Sequence, residues 1–465
     1  MKRPNIVFIL ADDTGWGDVG CNNPESKIPT PSIDRVASQG IRFTNAHSSC
    51  AYCTPSRYGL MTGRYMWRSS KGHALVMPYQ PPIIEPERPT LASMLRSRGY
   101  ATACVGKWHL GLLYPAKEGL GQRYTEVERE VDFTQTLDGG PIERGFDYFF
   151  GSAGCSTSDA PYAYIENNRT VGIPSIPSTE DLHALPGFWP GLMEPDWRMT
   201  EVDPMFCRKA IEFVDRHAAS HPADPFFLYL AISAPHNPWV PPDFVTGASG
   251  DGPRGDMGVL VDWCVGQMYD AFAQRGILDD TLFIFTSDNG PQYNTGKTGH
   301  RAAGPYRGRK NEAFEGGHRE PFVARWPGKI AAGTTSGETI CLTDMMATFA
   351  ALTGAAMPDG AGEDSFNMLP AILGQGECER RPALINDTGG FYATTGDFAI
   401  TRGQRKLIIT QPRERTGEPE RRYLFDMEND PYETRNLVDE EPTMAKDLER
   451  LLGEIKERGL RSVEV

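Results

Sequence analysis

The chain has no apolar run approaching the roughly 18–20 residues that a membrane-spanning helix needs. Its apolar N-terminal stretch, residues 5–10, is too short for the core of a secretory leader. The expectation is a protein without a membrane anchor, cytoplasmic as the chain stands and periplasmic or secreted if a leader was removed. Positive charge is in deficit: 47 Lys and Arg face 61 Asp and Glu, for a net charge of -14. That balance denies the clustered cations a phosphate backbone requires and excludes a nucleic-acid partner, while leaving room for a local cationic pocket that takes a small anion. Cysteine is sparse, nine residues in 465, odd in number and scattered from Cys21 to Cys378, which excludes a disulfide scaffold. With 39% hydrophobic and 23% charged residues, wholesale disorder is excluded as well.

A length of 465 residues exceeds one ordinary domain. Apolar runs of strand length at 5–10, 101–105, 225–232 and 281–286 alternate with helix-like segments, the pattern of an α/β protein whose mainly parallel sheet is covered by helices on both faces. Thr90 is placed to cap a helix that runs to Arg98 and stops at Gly99, Asp203-Pro204 opens another reaching about His217, and residues 255–275 supply a third. Two Gly-, Pro- and aromatic-rich insertions, 117–140 and 164–197, read as surface loops. From about residue 365 the texture changes: charged stretches at 377–381 and 411–422 surround short strand-like runs such as 407–410, and 442–457 has helical periodicity. The expected division is a large α/β domain over 1–364 and a small α+β C-terminal subdomain over 365–465 that ends in a helix.

Each of the four strands runs into chemically capable residues: Asp12-Asp13, Lys107-Trp108-His109, Pro235-His236 and Asp288-Asn289. In an open parallel sheet, ligands sit beyond the carboxyl ends of the strands, so these loops are expected to converge on one crevice. Asp12, Asp13, Asp288 and Asn289 form an all-oxygen set that suits a hard divalent cation, Ca²⁺ or Mg²⁺, and disfavours zinc. Taken singly, either acidic pair reads equally well as a helix cap. Brought together without a cation, the pairs would repel.

The string Cys53-Thr54-Pro55-Ser56-Arg57-Tyr58-Gly59-Leu60-Met61-Thr62-Gly63-Arg64 adds a nucleophile. Pro55 favours the first turn of a helix continuing through 56–63, which sets residue 53 at an end that attracts anions and Arg57 on the same face. Two plain readings stand beside this one: an inert buried thiol, and, through Cys50, a C-x-x-C redox pair or half of a metal site. Lys107, His109, His236 and, from the Gly-rich segment 304–317, Lys310 complete a set that moves protons and offsets anionic charge.

The Cys53 string resembles the C-x-P-x-R…T-G-R signature of the formylglycine-dependent (type I) sulfatases, in the alkaline-phosphatase-like superfamily. The opening 4–20, Gly106-Lys107-Trp108-His109-Leu110-Gly111, Ala234-Pro235-His236, Thr286-Ser287-Asp288-Asn289-Gly290 and Phe314-Glu315-Gly316-Gly317-His318-Arg319-Glu320-Pro321 are similar to that family's blocks, in its order, and 423–437 is similar to its C-terminal region. The resemblance implies an alkaline-phosphatase-like catalytic α/β core over 1–364, a small antiparallel C-terminal sheet within 365–465, and an oxidised Cys53 whose aldehyde hydrate attacks sulfur through one hydroxyl, held by a divalent metal on Asp12, Asp13, Asp288 and Asn289 and by Arg57. It implies His236 and Lys310 at the leaving oxygen, Lys107 bridging residue 53 and the sulfate, and His109 taking the proton of the second hydroxyl so that sulfate is expelled as the carbonyl re-forms. A formylglycine-generating enzyme is implied as maturation partner. A phosphate or phosphonate ester hydrolase and a non-catalytic sulfate binder with unconverted Cys53 are the alternatives. Trp67, Arg68, His73, Trp239, His300 and Arg301 flank these blocks and are the candidate rim for a sulfated saccharide; oligomeric state is not readable.

Overall fold

Residues 5–11 read Asn-Ile-Val-Phe-Ile-Leu-Ala, a run that only a strand covered on both faces can use. In the computed structural model, which describes residues 3–389, 396–413 and 417–463, this run is β1 (Asn5–Ala11), deep in a ten-stranded sheet. The other strands of that sheet, in chain order, are β2 (Ile41–Phe43), β3 (Ala101–Lys107), β4 (Tyr148–Ser152), β5 (Tyr164–Glu166), β6 (Arg169–Val171), β7 (Phe226–Ala231), β8 (Thr281–Ser287), β9 (Phe322–Arg325) and β10 (Thr334–Ser336). Their spatial order is β10-β2-β9-β8-β1-β7-β3-β4-β5-β6. The centre, β8-β1-β7-β3-β4, is parallel throughout. Antiparallel pairings of β8 with β9 and of β4 with β5 finish it on either side. The insertion expected to be loop at 164–197 thus contributes two short edge strands, a hairpin the Gly/Pro texture concealed.

Alternation along the strands sorts the core into two layers. Ile6, Phe8 and Leu10 of β1 face one side with Phe227, Tyr229, Leu282 and Ile284, while Val7 and Ile9 face the other with Leu228, Leu230, Phe283 and Phe285. The first layer is closed by α2 (Cys53–Thr62), α3 (Leu91–Ser97) and α6 (Met345–Thr353); the second is closed by α1 (Pro31–Ser38), α4 (Val202–Ser220) and α5 (Gly252–Gln274). Local signals act as expected. Thr90 accepts from the Ser93 amide at 3.0 Å while Ser93 Oγ accepts from the Thr90 amide at 2.9 Å, a reciprocal cap, and Gly99 leaves the helix with φ +77°.

The C-terminal part is a four-stranded antiparallel meander, β11 (Leu384–Asp387), β12 (Phe398–Arg402), β13 (Arg405–Thr410) and β14 (Arg421–Asp426). Part of the charged stretch at 411–422 lies outside the described residues. Leu407 and Ile409 pack under α7 (Pro442–Arg458), whereas Ile408 turns to Ala313 and Phe314, so the sheet is clasped between its own helix and the segment that carries Lys310. Met368, Ala371 and Ile372 pack in the main core; the separate sheet begins only at Leu384. Among the described residues no helix is long and apolar enough to cross a membrane.

Candidate active site

The parallel strands end level with one another. Ala11 pairs with Ser287, Leu10 with Ala231, Ala231 with Gly106 and Lys107 with Ser152, so the residues that follow are presented along one edge. The backbone stitches the loops together: the Asp12 amide donates to Ala234 O and the Asp288 amide to Ala11 O, each at 3.1 Å, and the His109 amide donates to Ala153 O at 2.9 Å. Asp13 and His109 sit in the left-handed region with φ +73° and +58°, which side-chain-bearing residues seldom adopt. Strain of about 1–3 kcal/mol per such residue persists only where surrounding contacts enforce it, a situation that concentrates at functional sites. Gly106 is needed just ahead of Lys107: with φ +113°, an added Cβ would stand 1.9 Å from Ala231 O.

All ten residues of α2 are buried. Cys53 opens the helix and Gly63 ends it in the left-handed conformation. Arg57, wholly buried one turn along, donates from Nε and Nη2 to Asp288 Oδ2 at 3.0 and 2.7 Å and from Nη1 to Lys107 O at 3.2 Å. Lys107 Nζ is 2.6 Å from Asp12 Oδ2, and Lys310 Nζ lies 2.6 and 2.9 Å from the two Asp13 oxygens. Asn289 Nδ2 donates to Asp13 Oδ1 at 2.7 Å, and His236 Nε2 stands 3.9 Å from Asp13 Oδ2. His236 Nδ1 pairs with Asn237 O at 2.6 Å, which fixes the ring's orientation. The acids, the cations, both histidines and residue 53 expected at one crevice therefore meet there.

The charges respond to this crowding. Burial opposes ionisation of Asp12, but Lys107, His236 and Arg57 hold its carboxyl well below the usual range. Burial and the neighbouring Asp12 charge push Asp288 up to about 8, against the pull of Arg57. Burial works against Lys107 and Lys310 too, yet Asp12 and Asp13 respectively keep both ammonium groups charged. Burial likewise opposes a thiolate at Cys53, and the Cys155 hydrogen bond with Lys107, His109 and Lys310 outweighs it, holding that thiol well below its ordinary value. Burial lowers His109, so its imidazole is neutral near pH 7, with a lone pair able to accept a proton.

A divalent ion fits the donor set. Asp12 Oδ1 and Asn289 Oδ1 are buried with no hydrogen-bond partner, beside the oxygens of Asp13 and Asp288. Orphaned acceptors of this kind are expensive unless a cation completes them. All four candidates are oxygen donors, as a hard ion prefers.

Comparison with known proteins decides the family. The profile of the family described as Sulfatase matches residues 4–355, three quarters of the chain. The chain belongs to the sulfatase family. Such a sulfatase is a sulfuric ester hydrolase, and the family generally uses a formylglycine and a divalent metal. This sulfatase is 32% identical to N-acetylgalactosamine-6-O-sulfatase of Bacteroides thetaiotaomicron, over 98% of this chain and 94% of the relative. It is 32% identical to human arylsulfatase A, over 94% and 84%. A solved structure from work on glycosaminoglycan metabolism by Bacteroides thetaiotaomicron superposes with a TM-score of 0.84 at 31% identity, covering 98% of this chain and all of that one. Ps i-CgsB, solved in complex with k-i-k-neocarrahexaose, shares the fold with a TM-score of 0.74 at 24% identity, covering 97% of this chain and 92% of that one.

The suggested rim is mostly elsewhere. Trp67 stacks on Tyr65 at 4.1 Å within the C-terminal core, and Arg68 clamps Asp364 at 2.9 and 3.0 Å and the carbonyls of Ile455 and Lys456. His73 is buried against Asp387 at 2.7 Å, and His300 against Asp18 at 2.8 Å. Arg301 is exposed and does not line the cavity. Trp239 reaches the site indirectly, its ring edge-on to Tyr293 at 5.6 Å. The cavity above Cys53, about 400 Å³, is walled instead by Trp189, Tyr293, Met77, Asp159 and Arg309. Cys155 was also missed: it follows β4, a fifth strand ending at the crevice, whose run Phe149-Phe150-Gly151-Ser152 carries the same strand-then-small-polar signal in a shorter form. As for Cys50, it is buried and unbridged, so no disulfide joins it to Cys53.

Proposed function

We propose that this sulfatase hydrolyses a sulfate ester on a saccharide, with a 6-sulfated N-acetylgalactosamine unit, the substrate named for its bacterial relative, as the first one to test. The observation that carries the reading is the cavity itself: an anion-attracting floor of Lys310, His236 and residue 53 under aromatic walls, Trp189 and Tyr293, suited to a sugar ring. Residue 53 acts as formylglycine, made from Cys53 by a formylglycine-generating enzyme, and Ca²⁺ is the ion for the four oxygen ligands, where it supplies Lewis-acid polarisation of the sulfate.

Around these, the chain's own groups divide the work. Arg57, locked by Asp288, presents fixed positive charge beside residue 53 without titrating. Lys107 neutralises charge developing on the sulfate oxygens, and Lys310 with His236 meets the departing alcohol oxygen and gives it a proton. His109, neutral at the start, accepts the proton of the remaining hydroxyl of residue 53, which lets the carbonyl re-form and sulfate leave. A plain serine ester offers no such second hydroxyl. All these groups lie within residues 1–364; the C-terminal sheet that begins at Leu384 buttresses the segment that carries Lys310.

The test is sulfate release from defined sulfated saccharides, using protein whose aldehyde at position 53 is verified by peptide mass spectrometry. Release from a sugar 6-sulfate, lost in Cys53→Ala and retained in Cys50→Ser, is the expected result. Cleavage of phosphate esters alone would favour the phosphorus-ester reading, and absence of the aldehyde from native material would favour a binding protein.

A further inference from the structure

Cys155 takes no part in the chemistry above, yet it is the shared vertex of two groups of metal-ligating atoms. In one, Cys53 Sγ, a His109 ring nitrogen and Cys155 Sγ all lie within 4.8 Å of one another; in the other, Cys155 joins His236 and Asp12 within the same limit. Cys155 Sγ stands 3.9 Å from His109 Nδ1 and 3.7 Å from His236 Nε2. A tetrahedral zinc ion with Zn–S of about 2.3 Å and Zn–N of about 2.0–2.1 Å separates a sulfur from a nitrogen ligand by about 3.6 Å. Both observed spacings are close to that value. Cys53 and Cys155 come from separate elements, the start of α2 and the loop after β4, so neither pairing is a trivial consequence of local sequence.

We propose that the chain with Cys53 still a thiol binds a thiophilic divalent ion, zinc, through Cys53, Cys155 and His109, at a place that borders the four-oxygen set at Asp12 and has His236 on the far side of Cys155. Two thiolates cancel the ion's charge, which lets it enter despite Lys107 and Lys310 nearby, and sulfur with imidazole is the donor class that selects zinc over Ca²⁺. Conversion of Cys53 removes one of the two sulfurs. The site therefore belongs to the immature protein, and its existence does not depend on which ester the mature enzyme cleaves.

The experiment uses full-length protein shown by mass spectrometry to be unconverted, stripped of metal and titrated with Zn²⁺ against a chromophoric chelator. One equivalent is expected, with affinity at least about tenfold weaker in Cys155→Ser and in Cys53→Ser and unchanged in Cys21→Ser. Cobalt in place of zinc is expected to give a thiolate-to-metal charge-transfer band whose intensity is roughly halved in each site variant, which keeps one of the two sulfurs. A readout free of substitution guards against misfolded variants: zinc is expected to slow alkylation of Cys53 and Cys155 in the unmutated chain while leaving the half-buried Cys21 and Cys378 unaffected. Absence of stoichiometric zinc, affinity undiminished in Cys155→Ser, or equal labelling of Cys53 and Cys155 with and without zinc would each overturn the assignment.

Discussion

Arg57→Ala tests the electrostatic core of the site. In the native chain the guanidinium satisfies Asp288 through two hydrogen bonds and lies 3.7 Å from Asp12, all three side chains being fully buried. Above about pH 8, where Asp288 is ionised, removing one partner of this buried pair leaves an uncompensated charge, at a cost of about 3–5 kcal/mol. With an unfolding entropy of about 2.1 cal/mol/K per residue, 465 residues give about 1 kcal/mol/K, so the melting temperature of metal-free protein falls by about 3–5 °C if the chain melts as one unit. Calcium is expected to recover much of that loss, because the ion re-pairs the carboxylates that the arginine abandoned. At a free concentration near 100 times Kd, binding stabilises either protein by about 2.7 kcal/mol, or about 3 °C, so the deficit narrows only through tighter binding to Arg57→Ala, by about 1.4 kcal/mol for each tenfold in Kd. The assay is calorimetry at about pH 9, above the raised Asp288 value, of wild type, Arg57→Ala and Arg57→Lys after chelation and again in Ca²⁺. A metal-free Arg57→Ala protein that melts with wild type, or a deficit identical with and without calcium, would refute the account of a carboxylate cluster that needs cations.

Further outcomes follow from the same geometry. Asp288 is raised to about 8 when folded without metal, above its unfolded value, so the folded chain holds an extra proton between about pH 4 and 8 and stability from this group declines as pH rises through that window. Asp12, lowered instead, is ionised in both states there and adds no slope. Melting of chelated protein across pH 5–8 should show the decline, and Asp288→Asn or added Ca²⁺ should flatten it; an unchanged slope counts against the assignment. Lys406, fully buried, bridges Glu315 and Glu433 at 2.8 Å each and contacts His318 at 3.1 Å, so Lys406→Met is expected to destabilise the chain by about 3–5 kcal/mol, read as a lowered midpoint in urea. Gly106→Ala collides with β7 and should yield little soluble protein, whereas Gly403→Ala, at a turn with open space around it, should express normally despite its left-handed backbone. Trp189→Ala and Tyr293→Ala are each expected to raise KM on a saccharide substrate several-fold with kcat largely kept, measured by sulfate release; unchanged KM in both would remove them from the sugar site.

Sequence alone determined the elements whose signals are local or periodic. The buried runs of β1, β3, β7 and β8, the Thr90 cap and the polar residues after each strand were legible because parallel strands must be apolar on both faces and their carboxyl ends must carry whatever chemistry the sheet supports. Convergence of Asp12, Arg57, Lys107, His236, Asp288 and Lys310 was inferable for the same reason. Only the tertiary structure decided what lines the cavity. Trp67, Arg68 and His300 carry the residue types of a sugar site but are consumed by contacts to Phe398, Asp364 and Asp18, partners far away in sequence, while Trp189 and Tyr293 are delivered by loops whose path no periodicity encodes. Cys155 makes the same point most sharply: its neighbours Cys53, His109 and His236 become neighbours only when β3, β4 and β7 align in register, and side-chain proximity across strands is a property of that register rather than of any segment of chain.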